Sequence, residues 1–191
     1  MLVTKSKATD SVSADITQAG MSGDSASAGG VFTVKCFDKD GNLKWEESAH
    51  NLVVNEGLQD MNTQYFKGVT YTAAWYLGLV TGPGGSNVYA AGDSLATHGG
   101  WTEDTNYSGN RKAVTFSTAS TADPSVISNT ASPASFSMTG TTTVAGAFLT
   151  NVNTGTSGIL FSVANFQAPG DRSVVSGDTL SVTYTFNLDA A

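Results

Sequence analysis

The segment that most constrains the fold is the closing stretch "DTLSVTYTFNL", in which apolar and polar residues alternate without interruption. A period of two places every second side chain on the same face of a β-strand. The polar face carries serine, threonine and asparagine. The apolar face carries Leu180, Val182, Tyr184, Phe186 and Leu188. This pattern predicts a strand with one buried face, and therefore a sheet protein.

Other candidate strands follow one another with turn residues between them. They are "VFTVKCF", "TAAWYLGLVTGP", "RKAVTFST", "SVISN", "ASFSM", "TVAGAFLTNV" and "ILFSVANF". Short strands separated by turns at roughly 8–12-residue spacing are typical of antiparallel β-sandwiches and jelly rolls. We therefore predict an all-β domain of this kind with one short α-helix. Its expected core comprises Leu58, Met61, Phe116, Phe148, Phe161, Leu180, Val182 and Phe186.

The first two strands are predicted to form a hairpin whose turn is "DKDGN". Asp38, Asp40 and Asn42 have the spacing of ligands in a calcium-binding loop. However, Gly41 lies one place before the glycine of an EF-hand, and no glutamate occupies the twelfth position. An ordinary turn is therefore the favoured interpretation.

The segment "NEGLQDMNTQYFKG" predicts the helix, over residues 55–67. Asn55 is the expected N-cap, Glu56 suits the first turn, and Gly68 should end the helix. Its large apolar residues recur at helical spacing, so we expect them to face the core. They are Leu58, Met61, Tyr65 and Phe66.

Residues 1–30 differ in composition from the rest and are predicted to form an N-terminal arm, with the sandwich domain at 31–191. Serine, alanine, glycine, threonine and aspartate dominate the arm, which cannot bury enough apolar surface to fold by itself. Its large apolar residues are Leu2, Val3, Val12, Ile16 and Met21. We expect the arm to be ordered on a neighbouring subunit; the alternative is that it folds back on its own domain.

Charge, hydropathy and cysteine content argue against several classes of function and structure. The formal net charge is −7, only 13% of residues are charged, and no basic stripe is present, which disfavours a nucleic-acid partner. No run approaches the ~18 apolar residues of a membrane span, and the first residues lack the apolar region of a secretory signal, so synthesis in a cytoplasm is expected. The single cysteine, Cys36, excludes an intrachain disulfide and is expected to be buried and unreactive.

The stretch "GDSLATHGGWTE" concentrates side chains that could carry chemistry. Asp93, His98, Glu103 and Asp104 could in principle form an acid–base or metal-binding set. We expect a helical turn here, capped by Asp93, with the ring of Trp101 buried. In the favoured interpretation His98 and Trp101 hydrogen-bond and pack a long crossover loop against the sandwich.

Three observations weaken the catalytic alternative. The second histidine, His50, lies far away beside the first hairpin, and Ser94 and Ser108 belong to no activating motif. Familiar hydrolase, metalloprotease and phosphate-binding motifs do not occur. Paired carboxylates on separate strands, as in glycoside hydrolases, are left open by the sequence. We predict no catalytic, cofactor-binding or metal-ligating residues.

An ordered series of segments carries a resemblance over about residues 50–187. The series is "HNLVVNEGL", "WYLGLVTG", "GDSLATHGGWTE", "NRKAVTF", "SNTASPASFSM", "AGAFLTNV", "GILFSVANF" and "VVSGDTLSVTYTF". It resembles a family of small uncharacterised proteins encoded in tailed-bacteriophage genomes, usually near the virion structural genes. The resemblance implies a virion component and brings no catalytic residues and no cofactor. Size and all-β character are similar to those of capsid decoration (cement) proteins, by analogy of fold.

Three functions are compatible with these features. A cement protein on the outer capsid surface would bind the major capsid protein and copies of itself, its arm reaching a neighbouring capsomer. A tail, neck or fibre-associated protein could use the same domain in far fewer copies. A carbohydrate-binding module or glycan-degrading enzyme would use aromatics such as Trp45, Trp75, Tyr76 and Trp101. Because Trp75 and Tyr76 are adjacent in a predicted strand, at least one should be in the core.

Overall fold

The computed structural model describes residues 26–68, 74–166 and 170–190. Its elements begin with the hairpin strands and the helix, namely β1 (Ala26–Phe37), β2 (Leu43–His50), β3 (Leu52–Val53) and α1 (Asn55–Lys67). The middle of the chain contributes β4 (Tyr76–Thr81), β5 (Glu103–Asp104), β6 (Lys112–Ala113), β7 (Ser125–Ser128) and β8 (Ala134–Ser137). The last strands are β9 (Thr142–Thr150), β10 (Leu160–Asn165), β11 (Arg172–Val174) and β12 (Thr179–Ala190).

The strands form two antiparallel sheets packed as a sandwich, which confirms the predicted fold class. Among the described residues, the first sheet has the order β2-β1-β12-β7, and β8 also pairs with β12. The second has the order β3-β10-β9-β4-β5, with β11 on β9 and β6 on β4. Two long strands, β1 and β12, pair along their whole lengths, with Val34 opposite Val182. They form the centre of the first sheet.

The core lies between the sheets, and β12 supplies much of it. Leu180, Val182, Tyr184 and Phe186 are buried, as the alternating pattern predicts. Leu188, at the end of the same face, is 41% exposed, contrary to the prediction, and lines an apolar groove. The predicted core residues that are buried are Phe148, Phe161, Leu180, Val182 and Phe186. Met61 and Phe116 are half-buried and pack against the core.

Helix α1 has the predicted bounds but not the predicted cap or orientation. Val54 occupies the N-cap position, and Asn55 is the first helical residue with no side-chain capping bond. Gly68 ends the helix in the left-handed conformation (φ 61°), as expected for a C-terminal glycine. The helix packs against β10 through Gly57, where an added Cβ would lie 2.4 Å from the carbonyl oxygen of Phe161.

The predicted boundary between arm and domain, at residues 30 and 31, is placed too late in the chain. Residues 26–30 belong to β1 and pair with residues 186–190 of β12. Gly30, at the end of the predicted arm, is required by this pairing, because an added Cβ there would lie 2.5 Å from the carbonyl oxygen of Thr185. The rest of the predicted arm, residues 1–25, lies outside the described residues.

Candidate functional site

The loop that contains "GDSLATHGGWTE" is held together by its own side chains. The Asp93 carboxylate accepts hydrogen bonds from the indole Nε1 of Trp101 (3.0 Å) and from the backbone N–H of Ala90 (3.1 Å). The His98 ring stacks on the buried Trp101 ring with 3.9 Å between centroids, and its Nδ1 lies 3.1 Å from the Trp101 carbonyl oxygen. These contacts attach the loop to the sandwich, where Trp101 packs against Phe148.

The predicted helical turn in this loop is absent. Ser94 and Thr97 instead exchange backbone hydrogen bonds in both directions, at 3.0 and 3.2 Å, and close a tight turn. The Ser94 hydroxyl also accepts a bond from the N–H of Thr97. Because these bonds satisfy the same backbone groups that a helix would need, the local serine and threonine favour the turn.

The carboxylates of Glu103 and Asp104, which follow the loop, both accept hydrogen bonds from other residues of the domain. Glu103 receives both Nε and an Nη of the buried Arg111, at 2.8 and 2.7 Å. Arg111 also donates to the carbonyl oxygens of Val152 and Gly155 and so ties two loops together. The pairing is bidentate, the geometry in which a guanidinium binds a carboxylate most strongly.

Asp104 is buried and acts in the same structural way. Its carboxylate accepts bonds from the backbone and side chain of Asn106 and from the hydroxyl of Thr142. His50, the other histidine, is exposed at the end of β2, in the opposite sheet. Within the described ranges, no three His, Cys, Asp or Glu side chains are grouped so that they could hold a metal ion.

The hairpin turn after β1 is closed by Asp38. Its Oδ1 accepts the N–H groups of Asp40 and Asn42, both at 2.9 Å, and its carboxylate also accepts bonds from the Asn42 side-chain amide. The Asn42 side-chain and backbone bonds, with that of Asp40, lower the pKa of Asp38. This is an Asx-type turn, in which the aspartate side chain accepts hydrogen bonds from backbone N–H groups of the residues that follow it.

Cys36 is buried in β1, as expected from its sequence context. Burial, followed by the nearby negative charge of Asp178, raises the pKa of its thiol to about 12. Asp178 is itself buried and forms an ion pair with Lys44 at 2.5 Å. Because the thiolate is the nucleophilic form, this environment suppresses the reactivity of Cys36.

Of the four aromatic residues considered for sugar binding, the three tryptophans pack against the core, and Tyr76 is half-buried. Trp101 is buried, and Trp45 and Trp75 are half-buried against the core. The Trp45 ring packs edge-on against Phe166, and the Trp75 ring packs edge-on against Phe161. These tryptophans therefore do not offer the broad exposed ring faces that stack on sugars.

The surface of α1 is where the structure departs most from the sequence prediction. Tyr65 is 83% exposed, Phe66 is 77% exposed and Leu58 is 42% exposed, although all three were expected in the core. The side of the helix that contacts β10 is centred on Gly57 and carries the half-buried polar residue Gln64. Helix α1 therefore turns three of its four large apolar side chains outward. It approaches β10 closely at Gly57, and Met61 is half-buried against the core.

A continuous apolar groove runs beside this helix, between α1 and the end of β12. Its first part is a cavity of about 520 Å³ whose lining is mostly aromatic and aliphatic. That part is lined by Met61, Tyr65, Trp75, Phe116, Ile127, Leu149, Phe161, Tyr184, Phe186 and Leu188, with Asp60 and Gln64. A second hollow of about 620 Å³ adds Ala26, Asn62 and Phe66 and shares Met61, Gln64, Tyr65 and Leu188 with the first. We call the two parts together the α1 groove.

One polar group in the α1 groove is left with an open hydrogen-bonding position. The side-chain Nε2 of Gln64 donates to Asp60 at 3.0 Å, which orients the amide. Its Oε1 is buried and has no hydrogen-bond partner among the described residues. A buried acceptor of this kind is stabilised when an incoming group donates to it.

The sequence of α1 contains a pattern that indicates which side of the helix packs against the sandwich. On a helical projection Gly57, Asp60 and Gln64 share one side, while Leu58 and Tyr65 are turned away from it. The apolar stripe was assigned to the core because amphipathic helices usually bury that stripe. The packing of Gly57 on Phe161 shows that Met61 faces the core, whereas Leu58, Tyr65 and Phe66 do not.

Comparison of this chain with protein-family models, with curated proteins and with solved structures found no match. In the described part of the chain, no helix is both long enough and apolar enough to cross a membrane.

Proposed function

We propose that this chain is a structural protein of a tailed-bacteriophage particle, a decoration (cement) protein that binds neighbouring subunits of the head. The observation that carries the proposal is the exposed aromatic pair on α1, Tyr65 and Phe66, which lines the α1 groove. Contiguous exposed apolar surface of this kind marks sites of protein–protein interaction. The resemblance of residues 50–187 to phage-encoded proteins supplies the class of particle.

The chemistry of the α1 groove suits a protein partner. Its lining combines large aromatic side chains with few polar groups, the composition typical of the buried centre of an interface. Tyr65 and Phe66 pack edge to face, with 4.9 Å between their centroids, and project from the helix as a pair. Aromatic side chains beside a pocket are frequent hot spots of binding energy.

The rest of the domain supports a role as a rigid platform. Two sheets share a core built from the fully paired β1 and β12, and the loop around Trp101 is fixed by hydrogen bonds and ring stacking. The formal net charge of −7 favours contact with protein surfaces over contact with packaged nucleic acid. On a symmetric shell, many identical weak contacts would gain strength from multivalency.

The copy number in purified particles tests the location. A decoration protein is expected at hundreds of copies per particle, in a fixed ratio to the major capsid protein measured by quantitative mass spectrometry. A few copies per particle would instead support the tail, neck or fibre alternative. Absence from purified particles would overturn both.

A double variant tests the surface. Tyr65→Ser/Phe66→Ser should reduce the occupancy of the protein on particles at least tenfold, since it removes the two most exposed aromatic groups. The matched control is Leu43→Ser, which removes a 53% exposed apolar residue at the hairpin end, far from the α1 groove. Equal occupancy of wild type and double variant would show that particles are bound through another surface.

A further inference from the structure

We infer that the α1 groove receives the N-terminal segment, residues 1–25, of a second copy of this chain. The inference rests on the proposed assembly role, since it requires copies to lie side by side. The groove would be the receptor and the segment the ligand, so that each copy both donates and accepts. A contact of this head-to-tail kind closes into a ring or continues as a chain of copies.

The first observation is the place where the N-terminal segment joins the domain. Ala26, where the described chain begins, lines the α1 groove together with Leu188. It pairs with Ala190 at the end of β12, so the N-terminal segment leaves the domain at the rim of the groove. Donor and receptor therefore lie at the same end of the sandwich, where a neighbouring copy can meet both.

The chemistry of the segment fits the lining. Its large apolar residues, spread between residues 2 and 21, are separated by small polar residues and can fill an apolar channel as isolated anchors. The buried Oε1 of Gln64 can accept a backbone N–H from the incoming segment.

The segment is long enough to reach the groove of a second copy. An extended chain spans at most ~3.3–3.6 Å per residue, so the 25 residues before Ala26 can reach roughly 80 Å. A domain of this size has a radius of gyration of about 15 Å. The segment is thus much longer than a return to its own groove requires, and long enough to cross to a neighbour.

Disulfide trapping with two separate variants of the full chain tests the inference. Gln18→Cys places a thiol in the segment without removing an apolar residue, and Asn62→Cys places one at the exposed rim of the groove. When the two variants are mixed and mildly oxidised, we expect a mixed covalent dimer on a non-reducing gel. The native Cys36 should not interfere, because it is buried and its pKa is raised to about 12.

The control replaces the groove cysteine with Leu43→Cys, an exposed position at the opposite end of β1. Mixed with Gln18→Cys, it should give at least tenfold less dimer. Equal yields in both mixtures would mean random collision and would overturn the inference. The inference would also be overturned if a single chain carrying both Gln18→Cys and Asn62→Cys closed only within itself.

A second measurement uses self-association. The full chain should show concentration-dependent association by sedimentation at concentrations up to about 1 mM, which detects contacts as weak as that Kd. Ile16→Ser/Met21→Ser should weaken association at least fivefold. Unchanged association would contradict the proposed pairing of segment and groove. Both measurements are made without particles, so their failure is distinguishable from a failure of the copy-number test of the proposed function.

Discussion

Strand β12 and helix α1 both carry apolar residues at the period of their own secondary structure, yet they use them in opposite ways. In β12 the apolar face is buried along Leu180–Phe186, because β1 pairs with the strand and the second sheet covers that face. In α1 the corresponding residues, Tyr65 and Phe66, are exposed, because the helix meets the sandwich through Gly57. The difference shows that periodicity identifies an element, whereas the neighbouring surface decides which face it buries.

The largest expected effect on stability comes from a substitution that creates a cavity beside β12. Phe32 in β1 is fully buried and its ring lies 4.5 Å from that of Tyr184. Phe32→Ala should lower the free energy of unfolding by about 3–5 kcal/mol, measured by urea denaturation. Phe66→Ala on α1 is the matched comparison and should change it by no more than about 0.5 kcal/mol. Equal losses at both positions would refute the contrast between the two elements.

The next effect tests how α1 is attached. Gly57→Ala places a methyl group 2.4 Å from the Phe161 carbonyl oxygen, so the helix must move away from β10. The strain should cost about 1–3 kcal/mol, although alanine favours helix formation. Gly29→Ala is the control, because nothing lies within 4 Å of an added Cβ there. A Gly57→Ala variant as stable as wild type would show that the close approach is not required.

A smaller effect concerns pH and the hairpin end of β1. Hydrogen bonds from Asn42 and Asp40 lower the pKa of Asp38 in the folded protein. The stabilisation is therefore present above the unfolded pKa of about 3.9 and is lost as pH falls through the lower folded value. Asp38→Ala should be less stable than wild type at pH 7, with the gap narrowing on acidification. Urea denaturation midpoints of both proteins at pH 7 and pH 3 measure this difference in stability. A difference that widens at pH 3 would contradict the lowered pKa of Asp38.

The smallest expected effect on stability is also the most informative for function. Tyr65→Ser/Phe66→Ser should leave the thermal midpoint within a few degrees of wild type, because a change of about 1 kcal/mol shifts Tm by only 2–4 °C in a domain of this size. Particle occupancy and self-association should both fall. If the double variant unfolded instead, these residues would belong to the core after all.

Much of the local structure could be predicted because it depends on neighbouring residues. The hairpin turn follows from Asp38 and Gly41, the end of α1 follows from Gly68, and the burial of most of β12 follows from its alternation. The predicted N-cap of α1 was wrong, because Val54 occupies that position and the N–H of Asn55, now the first helical residue, donates to the carbonyl oxygen of Ala91. That bond joins residues distant in sequence, which no local pattern predicts.

For the predicted site residues, too, local packing could be predicted but the partners distant in sequence could not. The sequence indicated that His98 and Trp101 pack a loop, but it could not identify Asp93 as the acceptor for the indole or Arg111 as the partner of Glu103. The α1 groove was missed because its walls come from α1, β12 and the segments around Trp75 and Phe116, which are far apart in the chain.

The sequence by itself determined that this chain forms strands, a hairpin and a helix of given length, since backbone preference and apolar period act within a few residues. The tertiary structure alone decided that residues 26–30 complete β1 and that α1 faces outward. Both outcomes depend on close approach of backbones, at Gly30 to Thr185 and at Gly57 to Phe161. Such an approach requires a small residue and a specific distant partner, and only the folded chain brings the two together.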